Sequence, residues 1–346
     1  MAKKICIVLG NGFTIDFLNH LKLDSEIDVV NLFRYGANVP WPSDNMPGFL
    51  SFKYCPNLWN LGARPHMDKN EAMALIENII TCVNVYSLKP PTKMTEQAQS
   101  SPNDIYLSAY SELLLYLKYL FVFYNNKIAD IPDEIVSWSW YKFLESINRD
   151  DNYEEIVIIS YNYDIFLERI LQKAGIDFEI SLIGDKVPKS KIKILKPHGS
   201  ISFVHDNELS IDSFQINYKK DFSDCSVTNF NTKYFDLNKH YLVTPLIPPA
   251  GESGRLNHTW AGQIRTEVKS RIANLTKNDE LIICGNSYWH VDRAELDDIL
   301  ISCNPTINIM MINPFPSKTL DAVLTSIFVN YVSFLNASVL EGRINA

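Results

Sequence analysis

The sequence predicts an α/β protein with an open parallel β-sheet and helices on both faces. Short β-branched runs alternate with helical segments along most of the chain, which is typical of parallel sheets. The first run, residues 4–9, reads as a buried central strand, and Gly10 and then a helical segment follow it. The chain has 346 residues, of which 46% are hydrophobic, so it can bury a large core.

The same reasoning assigns the other elements in order. Apolar β-branched runs bounded by turn residues predict strands, and helical spacing of apolar residues predicts helices. Asp164 is a candidate N-cap and Gly175 a candidate C′ residue of one helix, and Pro245 ends one strand. The predicted strands are residues 4–9, 155–160, 191–196, 241–244, 280–284 and 307–312. The predicted helices are residues 14–20, 69–83, 104–126, 133–147, 165–174, 256–275, 294–301 and 317–334.

Two regions interrupt this alternation. Residues 41–102 are rich in proline, with one helical segment at 69–83, and are predicted to form an insertion or lid. Residues 201–240 mix short β-like pieces with polar turns and are predicted to form a small β-rich insertion. We therefore expect one α/β domain over residues 1–346 with these two insertions.

The helix predicted at residues 104–126 is strongly apolar. Asp104 is a plausible N-cap, and leucines at helical spacing form a stripe that several tyrosines widen. The helix is either packed centrally in the core or also packs against another subunit. Its most apolar stretch, residues 113–123, is expected to be too short and too polar to span a bilayer.

Charge and cysteine content exclude several classes of protein. The net charge is −8 and no long basic run occurs, so direct nucleic-acid binding is not expected. Six cysteines without a Cys-x-x-Cys pair favour neither a disulfide framework nor a zinc site. The start of the chain lacks the features of a signal peptide, so a cytoplasmic location is expected.

Four polar motifs, far apart in the chain, each follow a predicted strand. Because the carboxyl ends of parallel strands lie along one edge of a sheet, the motifs are expected to converge on one cleft. They are residues 10–13, 160–164, 196–200 and 285–287.

Gly10 and Gly12 stand between a strand and a helix. Glycines there let backbone amides approach a pyrophosphate at a helix N-terminus. The dinucleotide fingerprint Gly-x-Gly-x-x-Gly is incomplete, since Ile15 occupies its last position, which disfavours an ordinary hydride-transfer dehydrogenase. An ordinary tight turn is the alternative.

Asn162 and Asp164 follow the strand at residues 155–160. Asp164 alone could be a helix cap, but a cap needs only one such residue. The Asn162 amide is therefore predicted to face a ligand.

His198 ends another predicted strand, between Pro197 and Gly199. Proline stiffens the approach, glycine permits a tight turn, and histidine can act as a general base near neutral pH. A partly buried structural histidine is the alternative. The position beside other strand-end motifs favours a catalytic role.

Two further strand ends carry small polar residues. Gly285, Asn286 and Ser287 follow one strand and Asn313 follows the next. They could contact a ribose or phosphate, or simply begin loops. Asp292 is interpreted as a cap of the helix at residues 294–301.

Together these motifs resemble the sirtuin-like family, especially its bacterial branch of NAD-hydrolysing immune effectors, from Gly10 to Pro314. The resemblance implies a Rossmann-like sheet, NAD as the substrate and no metal. It also implies that His198 deprotonates water or a ribose hydroxyl, that Asn162 orients the ribose and water, and that Asp164 positions the ribose or stabilises positive charge. The residues that it implies for NAD binding are Gly10, Asn11, Gly12, Phe13, Tyr161, Gly199, Gly285, Asn286, Ser287 and Asn313.

The sequence departs from the sirtuin deacylases at two places. Tyr161 stands where they have glutamine, and the segment after His198 holds only Cys225 where they have a four-cysteine zinc module. Both departures disfavour deacylation and favour NAD cleavage with water as the acceptor. A protein deacylase or ADP-ribosyltransferase, and a non-catalytic module that senses NAD or ADP-ribose, are the alternatives.

The resemblance also implies a biological role in anti-phage defence by depletion of cellular NAD. Such an enzyme must be held inactive in healthy cells, so control by assembly into a homo-oligomer or by a partner is expected. A P-loop ATPase, a nucleic-acid sensor or a phage protein could be that partner. The candidate assembly surfaces are residues 41–102 and the aromatic helices, and no membrane partner is expected.

Overall fold

The computed structural model describes residues 3–87, 104–187, 190–218, 224–249, 258–288 and 293–344. Its strands are β1 Lys3–Leu9, β2 Tyr153–Ser160, β3 Phe178–Ile180, β4 Ile192–Leu195, β5 Phe203–His205, β6 Glu208–Leu209, β7 Phe230–Thr232, β8 His240–Tyr241, β9 Glu280–Cys284, β10 Asn308–Ile312 and β11 Asn330–Phe334. Its helices are α1 Asn11–His20, α2 Pro56–Asn60, α3 Lys69–Ser87, α4 Asp104–Lys127, α5 Ser139–Arg149, α6 Phe166–Lys173, α7 Thr259–Ala273, α8 Arg293–Ser302, α9 Lys318–Ile327 and α10 Glu341–Ile344.

A seven-stranded parallel sheet flanked by helices forms the centre of the protein, as predicted. The strand order is β11-β10-β9-β1-β2-β4-β3. The chain builds one half of the sheet outward from β1 through β2, then returns to the other side of β1 for β9. The order therefore reverses between β1 and β9, and ligands in open α/β sheets bind at such a reversal.

The middle strands are buried along most of their length, which explains their β-branched sequences. Helix α1 packs beside α6 through Phe17 and Phe166, whose ring centroids lie 5.1 Å apart. Phe13 of α1 contacts the rings of Trp138 and Trp140 at 5.3 and 5.4 Å. These aromatic contacts fix the helix that follows the first glycine motif.

The long apolar helix α4 lies in the core. By length and composition alone its segment Ile105–Lys127 could cross a bilayer, and the predicted apolar stretch, residues 113–123, covers only part of that segment. However, 72% of its apolar window is buried within the protein, as in the core helix of a globular domain. Tyr110, Tyr116 and Tyr124 are fully buried, so they pack within the chain and not on an assembly surface.

Three predicted elements were wrong. The closing helix ends at Ile327, and β11 follows it as a parallel neighbour of β10, because the free edge of β10 offers the segment a hydrogen-bonding partner. Residues 241–244 do not join the main sheet, since only β8 pairs, antiparallel with β6. The helix predicted at 133–147 is a 3₁₀ turn and α5, separated by the extended Trp138.

Smaller differences concern element ends. Helix α1 begins at Asn11, and the short strand β3 had no sequence signal. Helix α6 has Ile165 at its N-cap position, while Asp164 accepts a hydrogen bond from the Phe166 amide at 3.1 Å. Asp292 and residues 88–103 lie outside the described residues.

The two regions predicted as insertions differ in secondary structure: the first packs helices against α4, and the second contains short antiparallel strands. The first part of the 41–102 region packs closely, with Phe49, Cys55 and Leu58 fully buried and α2 and α3 against α4. Residues 201–240 contain two small antiparallel pairs, β5 with β7 and β6 with β8.

Candidate functional site

The sheet register brings the four motifs to one edge. Leu9 at the end of β1 is level with Ser160 on one side and with Cys284 on the other. Cys284 is in turn level with Ile312, and the end of β4 lies beside β2. Gly10, Tyr161, Gly285 and Asn313 thus begin their loops at the same level, as the sequence predicted.

A cavity of about 770 Å³ opens at this edge, a volume typical of small-molecule sites. Ten of the thirteen residues predicted for the site line it: Gly10, Asn11, Gly12, Tyr161, Asn162, His198, Gly285, Asn286, Ser287 and Asn313. The other three, Phe13, Asp164 and Gly199, lie behind the cavity wall.

The first glycine motif packs directly against the loop after β9. The Gly12 amide donates to the Gly285 carbonyl at 3.1 Å, and the Gly10 amide donates to Cys284 at 2.9 Å. A Cβ on Gly12 would lie 2.3 Å from the Gly285 Cα atom, so only glycine permits this approach. The Gly10 and Gly12 amides are thus paired within the protein, and binding of a pyrophosphate at this motif stays a prediction.

The Asn162 side chain is buried and held at two points. Its Nδ2 donates to the Gly10 carbonyl at 3.1 Å and to Thr14 Oγ1 at 3.0 Å. The Thr14 hydroxyl donates in turn to Asp164 Oδ2 at 2.8 Å. Since the Gly10 carbonyl can only accept, the Asn162 amide orientation is fixed, and its Oδ1 has no hydrogen-bond partner among the described residues.

Asp164 lies beneath Asn162 and outside the cavity. Its two oxygens accept from Thr14 and from the Phe166 amide, and burial raises the pKa of its carboxyl group. Lys196, also buried, donates to the Asp164 carbonyl and pairs with Glu168 at 2.9 Å. Asp164 therefore contacts Asn162 only through Thr14, and its predicted role at the ribose stays a prediction.

His198 is buried in the cavity wall beside an acidic partner. Its Nε2 lies 3.2 Å from Glu295 Oε1, in the first turn of α8. Arg265 of α7 holds the same oxygen through Nε at 3.0 Å. The Tyr161 ring contacts the imidazole edge-on at 4.9 Å between centroids. A carboxylate partner orients a histidine and stabilises its protonated form, which suits a general base.

Gly199 has a packing role. Its φ is +83°, and a Cβ there would lie 1.7 Å from the Pro245 carbonyl oxygen. The Ser200 amide donates to that carbonyl at 3.3 Å, and the Ile247 amide donates to the His198 carbonyl at 3.0 Å. The segment around Pro245 therefore supports the histidine loop from behind.

The asparagines at the other strand ends brace their loops. Asn286 donates to the Cys284 carbonyl at 3.0 Å, and Asn313 donates to the Asn286 carbonyl at 2.9 Å. Asn11 donates to the Val29 carbonyl at 3.3 Å. These side chains line the cavity while holding its rim in shape.

The cavity lining is acidic. Asp16 and Glu77 line the cavity, and none of the described lining residues is lysine or arginine. Burial raises the pKa of Asp16, which accepts from the Trp138 indole at 2.9 Å. Positive potential there comes from the N-terminus of α1 and not from side chains.

Several residues in or beside the cavity were not predicted from the sequence. Trp140 lines the cavity, is buried, and has an indole nitrogen without a hydrogen-bond partner among the described residues. Helix α3 lines the opposite wall through Met73, Ile76 and Glu77. Thr14 could have been named from the sequence, because it lies one turn into the helix after the glycine motif. Glu295 and Arg265 could not, because only the fold brings them to His198.

The chain matches no protein-family model and no curated protein. Its function is therefore inferred from its fold and from the geometry of the cavity. Within the described residues, no cluster of three or more His, Cys, Asp or Glu side chains could hold a metal ion.

Proposed function

We propose that the protein hydrolyses NAD, cleaving the nicotinamide–ribose bond to give nicotinamide and ADP-ribose. The observation that carries the proposal is that Asn162 and His198 line the same cavity. Asn162 Oδ1 has no hydrogen-bond partner among the described residues, and Glu295 holds the His198 ring. The cavity lies at the reversal of strand order, where α/β sheets bind nucleotides. Its volume suits a dinucleotide-sized ligand.

In the proposed reaction, the C1′–N bond breaks and its electron pair goes to the nicotinamide nitrogen. The leaving group is cationic before cleavage, so no general acid is required, and positive charge develops on the ribose as in glycoside hydrolysis. Water then bonds to C1′ and its proton passes to His198. Asn162 Oδ1 accepts a hydrogen bond from the ribose or the water and so orients the attack.

The acidic character of the cavity fits this chemistry. A carboxylate near an oxocarbenium-like centre stabilises the developing charge, whereas cations would oppose it. Asp16 lines the cavity next to the motif that holds Asn162. The pyrophosphate would be favoured by the N-terminus of α1, since no described lining residue is lysine or arginine.

The test is incubation of the purified chain with NAD, following nicotinamide and ADP-ribose, with His198→Ala as the variant. Wild-type turnover that falls about 10²–10⁴-fold in the variant is expected, which is the usual contribution of a general base. His205→Ala is the matched control, since His205 is buried but does not line the cavity. Equal turnover in wild type and His198→Ala would refute the proposed role.

The cellular role is proposed from the resemblance of the motifs to the sirtuin-like family: depletion of NAD in anti-phage defence, controlled by homo-oligomer assembly or by a regulatory protein. Activity and molecular size would be followed together across a dilution series. Activity confined to a multimer supports control by assembly, and a fully active monomer contradicts it. Turnover of an acetyl-peptide substrate in place of simple hydrolysis would instead indicate a deacylase.

A further inference from the structure

Three ionisable side chains are buried together behind the cavity wall, beneath Asn162. Asp164, Glu168 and Lys196 are exposed by only 4%, 0% and 1%, and none of them lines the cavity. Lys196 Nζ donates to Glu168 Oε1 at 2.9 Å and to the Asp164 carbonyl oxygen. The proposed reaction makes no use of Lys196 or Glu168.

Two strand-end motifs bring these side chains together. Lys196 directly follows β4, and Asp164 and Glu168 stand just before α6 and in its first turn. Because β2 and β4 are parallel neighbours, the loops that follow them begin at the same edge of the sheet. Lys196 therefore connects the loop of His198 to the loop of Asn162.

One cation faces two carboxyl groups in this cluster. A buried carboxylate needs a cation or several hydrogen-bond donors, and one lysine can balance the charge of only one carboxylate. Glu168 takes the direct ion pair with Lys196. Asp164 instead accepts from the Thr14 hydroxyl and the Phe166 amide, so its charge depends on the balance of the groups around it.

The charged groups that act on Asp164 come from α6 and from the segment after β4. Burial raises the pKa of its carboxyl group, the Lys196 charge and the two hydrogen bonds lower that pKa, and the Glu168 charge raises it. Helix α1 presents the neutral Thr14. Tyr234, which lies near Glu168, has a pKa raised by burial, so its hydroxyl is neutral. Lys196 and Glu168 thus act on Asp164 with opposite signs.

The charge on Asp164 decides where the Thr14 proton points. A carboxylate can only accept, so the Thr14 hydroxyl donates to Asp164 and its oxygen accepts from Asn162 Nδ2 at 3.0 Å. A protonated carboxyl group can donate to Thr14 instead, and the hydroxyl proton then turns toward Asn162. Two donors, the hydroxyl and Nδ2, would face each other, and the amide would lose its fixed orientation.

We propose that Lys196 and Glu168 are positioning residues that set the charge on Asp164 and thereby hold the Asn162 amide in its orientation for catalysis. Lys196 keeps Asp164 ionised, and Glu168 limits this effect. The catalytic consequence rests on the proposed function. The control of the Asp164 charge does not, because it depends only on contacts within the protein.

The charge on Asp164 is measured by pH titration of its side-chain ¹³C carboxyl NMR signal in the full chain, assigned with Asp164→Asn. Lys196→Met removes the cation and should raise the titration midpoint by about 1–3 pH units. Glu168→Gln removes the opposing charge and should lower the midpoint. Lys193→Met is the matched control and should leave it unchanged, because Lys193 also lies in this part of the chain but pairs with Glu179.

Lys196→Met leaves the Glu168 carboxylate buried without its cation, so the melting temperature of each variant is measured as well. The double variant Lys196→Met/Glu168→Gln replaces the whole pair by neutral side chains, and its midpoint should lie above that of wild type. Midpoints equal to that of wild type in Glu168→Gln and in the double variant would overturn the proposal. A shift in the same direction in Lys196→Met and Glu168→Gln would also overturn it.

The effect on catalysis is read from kcat for NAD as a function of pH. The fall of kcat on the acid side should move toward neutral pH in Lys196→Met and to lower pH in Glu168→Gln, in step with the Asp164 midpoint. Identical pH profiles in wild type and both variants would overturn the positioning role. A chain whose Asp164 midpoint moves as expected but which never cleaves NAD would overturn the hydrolase alone.

Discussion

The Asn162 side chain shows how single residues define the candidate site. Its amide group is fixed by the Gly10 carbonyl and by Thr14, and Asp164 holds Thr14 in turn. The chain of hydrogen bonds leaves Asn162 Oδ1 without a partner among the described residues, in a residue that lines the cavity. Asp164 thereby contributes to the site although it never reaches the cavity.

Thr14→Val is expected to separate positioning from contact. The substitution keeps the shape but removes the hydroxyl that links Asp164 to Asn162, so NAD turnover should fall roughly tenfold and stability by about 1–3 kcal/mol. Measurement of kcat, KM and urea unfolding tests this. Thr266→Val, on the exposed side of α7, is the control, and unchanged kcat in Thr14→Val would contradict the positioning role.

Glu295→Gln is expected to impair His198 without removing it. Glutamine keeps the size of the side chain but cannot stabilise a protonated imidazole, so kcat should fall roughly 10–100-fold while KM for NAD stays within about twofold. Glu267→Gln, an α7 residue that pairs with Arg271, is the matched control. A loss confined to KM would show that Glu295 acts in binding instead.

At the level of elements, the loops after β1 and β9 form one unit. Gly12 and Gly285 touch backbone to backbone, and Gly285 has a φ of +66°. A side chain on either residue would separate the loops that carry the cavity floor. These glycines therefore serve the packing of two strand ends, whatever ligand lies above them.

Gly12→Ala is expected to cost more than about 2 kcal/mol of stability, since its Cβ would lie 2.3 Å from the Gly285 Cα atom. Gly262→Ala, in α7, has no atom within 4 Å of its Cβ position and should stabilise by about 0.5–1 kcal/mol. Thermal and urea unfolding of both variants give the comparison. A neutral Gly12→Ala would mean that the loops separate easily.

The charge of the cavity lining bears on which dinucleotide the proposed hydrolase would prefer. With Asp16 and Glu77 in its lining, the described part of the cavity offers no lysine or arginine to pair with an added phosphate. We expect NAD to be cleaved with a kcat/KM at least tenfold above that of NADP. Parallel assays with the two dinucleotides test this, and equal rates would contradict it.

Stability as a function of pH is also a property of the whole molecule. Burial lowers the pKa of His240 from 6.5 to about 4, so between these values the unfolded chain binds more protons and stability falls as the pH falls. The expected loss is roughly 1–2 kcal/mol, allowing for partial exposure. Lys118, with a pKa lowered by burial to about 7, titrates above this range.

Urea unfolding of wild type and His240→Asn at pH 6.5 and pH 4 measures this contribution. The variant should lose less stability between the two values, by the amount that His240 contributes. Identical losses in the two proteins would show that His240 is protonated without cost.

By itself, the sequence determined the parallel sheet and the position of its motifs. Buried strands are recognisable as β-branched runs, and parallel topology brings their ends to one edge, which is why ten of the thirteen predicted residues line one cavity. The short β3 and the edge strand β11 could not be predicted, since pairing with a neighbour and not local propensity decides such segments. Only the tertiary structure decided that Gly12 packs against Gly285, that Asp164 acts through Thr14, and that Glu295 reaches His198 from 97 residues along the chain. Those contacts depend on the relative placement of distant strands and helices, which no local pattern encodes.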